Sequence, residues 1–151
     1  MRRIISIIGK PSSEKDARLN KFLEGRKDYT LISVENMLRK EVENETKQGK
    51  LIKERMEAER PIPDYVVINL ILGPLRAAKG NIIFNAFPMT KTQADAVFEV
   101  GFRIDRMINL HTADANISVD FMSGYRSVEI RNINLESDSI DTDLARAITE
   151  F

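Results

Sequence analysis

Residues 4–22 read IISIIGKPSSEKDARLNKF, and the reading of this stretch decides the fold. Ile4 to Ile8 form an apolar run of strand length. A run of that kind fits a parallel strand covered on both faces. Gly9 follows, then Pro11, Ser12, Ser13 and Lys15, and then a helical pattern. That pattern sets Ala17, Leu19, Phe22 and Leu23 roughly on one face and ends near Gly25. Strand, glycine loop with a lysine, and helix is the layout of a phosphate-binding turn. Two carboxylates interrupt it, because Glu14 stands just before Lys15 and Asp16 just after.

Working outward, strand and helix patterns alternate. YTLISV (29–34) is rich in β-branched residues and predicts a second strand. Residues 35–59 are helical in character, broken near 46–49, with most charges at exposed spacings. PIPD is a turn, and Pro63-Asp64 opens an apolar helix that Gly73-Pro74 interrupts, as a kink or as a break, and Gly80 closes. NIIFNAF predicts a third strand, RIDRMINLH a fourth and YRSVEIRNINLES a fifth. Between the third and fourth, TKTQADAVFEVGF is a helix that Thr90 or Thr92 could cap, and SIDTDLARAITEF closes the chain as an amphipathic helix. The alternation predicts a three-layer α/β/α domain with a five-stranded, mainly parallel sheet and a small helical arm at 34–62. Ligands of such folds bind beyond the carboxyl ends of the strands. Residues 9–15 and 85–90 are both expected there.

Composition narrows the class. The 151 residues, 42% hydrophobic and 30% charged, suit one domain with a sizeable core. Twenty-three basic residues balance 23 acidic ones, so no global field steers the chain to nucleic acid or an anionic membrane. With no cysteine there is no disulfide, thiolate metal site or cysteine nucleophile, and His111 is the only histidine, which argues against a histidine metal site or a Ser-His-Asp triad. No apolar run approaches the roughly 20 residues of a membrane span. MRRIISII is too short in its apolar part for a signal peptide, and the expected location is cytoplasmic.

Several segments, in order and in register from about Ile4 to Leu110, resemble the adenylate kinase family of nucleoside monophosphate kinases. IIGKPSSEKDAR stands where that family has its G-x-P-G-x-G-K-G-T loop. ISVENMLRKEV resembles its S-T-G-D-M-L-R segment, and MEAERPIPDYVVINLI its M-x-x-G-x-x-V-P-D stretch. NIIFNAFPMTKTQADAV matches the strand and turn that usually read D-G-F-P-R-T-x-x-Q-A, and RIDRMINL the strand after it. The resemblance implies a P-loop NTPase-like fold, with Gly9, Ser12, Ser13 and Lys15 at the nucleotide loop and Ser33 opening the monophosphate helices. It assigns Arg39 to the monophosphate's phosphate and Gln93 to its adenine. An active member would use ATP, AMP and Mg²⁺, with Lys15 as its catalytic residue.

The departures from that pattern carry the functional expectation. Ser12, Glu14 and Asp16 replace three loop glycines, and Ala17 stands where a threonine would reach Mg²⁺. A carboxylate about 4 Å from a phosphate charge costs on the order of 4 kcal/mol at an effective dielectric near 20. That is roughly a thousandfold in affinity. Ser13 and Asp16 have capping-box spacing, so the loop is expected to be a self-capped helix start whose carboxylates fill the phosphate's place and neutralise Lys15. Val34 replaces a threonine, Met89 the arginine of the F-P-R turn, and Asn85 the aspartate that helps place Mg²⁺. After about residue 111 the chain runs almost directly to its last strand, too short for the family's mobile lid and arginine-bearing helix, with Arg126 and Arg131 in or beside that strand. The expectation is a single, lid-less domain over residues 1–151, catalytically inactive, serving as a protein-binding or structural module within a larger assembly. It would need no cofactor and no metal. The alternatives are a divergent nucleoside monophosphate kinase converting ATP and AMP to ADP, and an AMP sensor working through Arg39 and Gln93.

Overall fold

A computed structural model describes residues 2–151. The strands are β1 (Ile4–Ile8), β2 (Tyr29–Ser33), β3 (Asn81–Asn85), β4 (Arg106–His111) and β5 (Glu129–Asn134). The helices are α1 (Ser13–Leu23), α2 (Val34–Glu43), α3 (Lys47–Glu57), α4 (Asp64–Ala77), α5 (Lys91–Glu99) and α6 (Ile140–Thr149). The sheet order is β2-β3-β1-β4-β5, and every strand pair is parallel. Connections leave β1 to one side for β2 and β3 and to the other for β4 and β5. The crevice where they diverge lies at the carboxyl end of β1, the place such sheets bind ligands.

The two-residue period of β1 divides the core. Ile5 and Ile7, with Ile83 and Ile108, pack under α1 and α6 through Leu19, Phe22 and Leu144. Ile4, with Ile82 and Phe84, packs under the other face through Leu38, Ile71 and Val97. A strand covered on both sides has no place for a polar alternation, which is why IISII reads as one apolar run. Its one hydroxyl, on Ser6, is fully buried and donates to the Phe87 carbonyl.

Local chemistry explains the helix limits. Thr46 caps α3 by accepting from the Gly49 N–H at 2.9 Å, and a Cβ on Gly49 would stand 1.9 Å from the Glu41 carbonyl. The break expected near 46–49 is therefore a tight corner between α2 and α3. Thr90, not Thr92, caps α5. Gly73-Pro74 does not break α4; Pro74 lies in its last turn, and the helix ends at Ala77, before Gly80. Proline has no N–H, so Pro74 leaves the Leu70 carbonyl without its helical donor, yet the helix continues one further turn.

The buried face of α1 differs from the one expected. It consists of Lys15, Leu19 and Phe22, while Ala17 is exposed. Between β4 and β5, residues 112–128 hold two short 3₁₀ turns, Asp120–Met122 and Tyr125–Ser127. Arg126 lies 3.4 Å above the Phe98 ring, and Arg131 pairs with Glu129 on β5. No helix among the described residues is long and apolar enough to cross a membrane.

Candidate nucleotide site

Register brings three chain segments together beyond the sheet. Ser33 pairs with Asn85, and Asn85 with Ile7, so the ends of β2, β3 and β1 stand side by side. The loop after β1 passes close to β4, and a Cβ on Gly9 would meet the Leu110 carbonyl at 2.6 Å. Only glycine fits there without a shift.

The cap of α1 is Ser12, which corrects the assignment to Ser13. Ser12 has extended backbone, and its hydroxyl accepts from the Lys15 N–H at 3.0 Å. Ser13 is already the first helical residue and is exposed. Asp16 is not its reciprocal partner; its N–H bonds the Ser12 carbonyl at 3.2 Å.

Lys15 is 0% exposed, and its Nζ lies 2.8 Å from Glu35 Oε1 and 3.5 Å from the Gly9 carbonyl. This corrects the expected neutralisation by Glu14 and Asp16. Glu14 turns outward and pairs with Arg18 one helical turn on, at 2.8 Å. Adjacent side chains on a helix diverge by about 100°, so an inward lysine has outward neighbours. The carboxylate on the loop lysine belongs to Glu35, in the first turn of α2. Nothing in the local sequence around Lys15 signals this partner.

Ser33 is buried and structural, since its hydroxyl caps α2 by accepting from Asn36 at 3.3 Å and also accepts from Asn85 Nδ2 at 3.3 Å. Arg39 does not reach the crevice; it is exposed and donates to Asn36 on its own helix. Gln93 does line the crevice, at 4% exposure. Its Oε1 accepts from the Met89 N–H at 2.7 Å, and its Nε2 donates to Asp64 at 3.0 Å. Thr90 donates to the same Asp64 oxygen at 2.9 Å while capping α5. Asp64, which sequence offered only as a helix start, therefore fixes the carboxamide's orientation.

Between these segments lies a cavity of about 450 Å³, within the range of small-molecule sites. Val34, Leu38, Ile62, Val67 and Met89 are among the apolar residues of its wall, which also includes Gln93, Thr90, Gly9 and Glu35. The residues facing the loop do not fit Mg²⁺, which asks for carboxylate and water oxygens in octahedral array. Ala17 has no hydroxyl, and Asn85 offers a neutral amide whose buried Oδ1 has no partner. Among the described residues no three His, Asp or Glu side chains come together as a metal site.

A parallel sheet in this order, with a glycine-lysine loop after β1 and a helical pair after β2, defines an α/β protein of the P-loop nucleotide-kinase class. The family model for adenylate kinase matches residues 7–147. The adenylate kinase of Caldicellulosiruptor saccharolyticus is 32% identical over 126 residues, covering 80% of this chain and 58% of that protein. That of Thermococcus onnurineus is also 32% identical, covering 81% and 55%. That of Wolbachia pipientis is 31% identical over 122 residues, covering 78% and 56%. The chain belongs to the adenylate kinase family, and it spans a little over half the length of these relatives.

Proposed function

We propose that this domain binds a nucleoside or nucleotide in the cavity beside Gln93, while the Lys15–Glu35 pair keeps its donor loop closed to ATP. The carrying observation is the contrast between the two sides of the crevice. One holds an open, mostly apolar cavity with an oriented carboxamide; the other commits Lys15 to an internal carboxylate. Kinship with proteins named adenylate kinase favours nucleotide chemistry over the purely structural module expected from the missing loop glycines. Calorimetric titration tests the reading. Saturable binding of adenosine or AMP, with none of ATP–Mg²⁺ at millimolar concentration, is expected. ATP–Mg²⁺ binding as tight as AMP binding would overturn it.

Phosphoryl transfer from ATP to AMP is the second reading, supported by the same kinship and by one observation. Glu35 is 21% exposed and sits on a separate element, so a shift of α2 would release Lys15 to a phosphate. ADP formation from ATP and AMP, lost in Lys15→Met, would establish the kinase and remove the closed-loop reading. Indifference to every nucleotide, together with a stable protein partner, would return the domain to the structural-module reading.

A further inference from the structure

We propose that the ligand of the cavity is a neutral nucleoside, a base and sugar without a phosphate. The inference rests on the nucleotide-site reading above and narrows it. Its first ground is the charge of the wall. Among the described residues no lining residue is cationic, and the one charged residue, Glu35, is an anion already matched by the buried Lys15. A phosphate entering here would lose its hydration and meet aliphatic side chains and a carboxylate. Arg39 is held on the outer side of α2 by Asn36 and is not part of the wall. Met89 presents a thioether at the turn after β3.

The second ground is what the wall does offer. Val34, Leu38, Ile62 and Val67 supply flat apolar contact. Gln93, nine-tenths buried and more, has its carboxamide fixed by Met89 N–H and Asp64. An amide has two N–H donors and two acceptor lone pairs, so one of each is left. A donor beside an acceptor on a fixed plane matches the edge of a heterocyclic base. The site thus recognises the base and ignores the phosphate.

Calorimetry of the full chain with the common ribonucleosides and their 5′-monophosphates tests this, at low and high salt. The expected result is a nucleoside that binds at least as tightly as its monophosphate, with an affinity indifferent to salt and to Arg39→Ala. Met89→Arg adds a cation to the wall and is expected to shift preference toward the monophosphate by about tenfold or more. Gln93→Leu is expected to weaken nucleoside binding by about tenfold. A monophosphate that binds at least about tenfold tighter than its nucleoside, salt-sensitively and through Arg39, overturns the inference but leaves the nucleotide-site reading standing. Binding of neither class overturns both.

Discussion

Lys15 is the residue on which the site turns. A lysine with no exposed surface is tolerable only with a matched partner, and Glu35 is that partner. The two halves of the pair are not equivalent. Glu35→Ala strands a buried ammonium and is expected to destabilise the fold by about 3–5 kcal/mol. Lys15→Met keeps the side-chain volume and leaves a carboxylate that can turn to water, so a loss of about 1–2 kcal/mol is expected. Urea denaturation of both variants checks the order, and equal losses would mean that the pair's burial is not what matters. The loss of loop glycines and of the magnesium hydroxyl was legible in the sequence. Glu35 was not, because an ion pair across 20 residues depends on where β2 delivers the start of α2. Ala86 carries a separate strain, with φ at 64° on a residue that has a Cβ. Ala86→Gly is expected to raise stability by about 0.5–1 kcal/mol in the same assay.

At the scale of elements, caps set the boundaries that periodicity leaves vague. Two adjacent serines before α1 offer two caps, and backbone geometry selects Ser12. Ser12→Ala is expected to cost about 1 kcal/mol, whereas Ser13→Ala should stay within about 0.5 kcal/mol of the parent. Thermal melts of the two variants distinguish them, and the reverse order would move the cap to Ser13. Periodicity also misplaced the buried face of α1. It selected Ala17 for its apolarity, but the face runs through Lys15, Leu19 and Phe22 at helical spacing. A charged residue on a core face is invisible to hydrophobic patterning when its partner lies on another element.

At the scale of the whole molecule, Arg106 joins distant elements at the amino end of β4. This buried guanidinium bonds Glu129 at 2.7 Å and donates to the carbonyls of Ala147 and Glu150 at 2.7 Å. It also lies 4.0 Å from the centre of the Phe151 ring. It therefore ties β4, β5 and the end of α6 into one unit. The hydrogen bond from Arg131, and then that from Arg106, hold the Glu129 carboxyl below its ordinary value of 4.5. Because its folded pKa is lowered, Glu129's contribution is present above that ordinary value. It is lost as the pH falls through the depressed one. Denaturation midpoints measured on descending through that window should fall less steeply in Glu129→Gln than in the parent. The effect should be small, because the Glu129 side chain is about half exposed.

From the sequence alone come the alternation of strands and helices, the parallel sheet, the family resemblance and the chemistry missing from the loop. These rest on short-range signals: apolar runs, cap residues, turn residues and the spacing between them. Tertiary structure alone decided which carboxylate meets Lys15, that Arg39 faces away, that Asp64 orients Gln93, and that no described residue of the cavity wall is a cation. Each of these depends on strand register and on the packing of α2, α4 and α5 over the sheet. Such contacts join residues far apart in the chain, and no local pattern encodes the direction in which a side chain meets its distant partner.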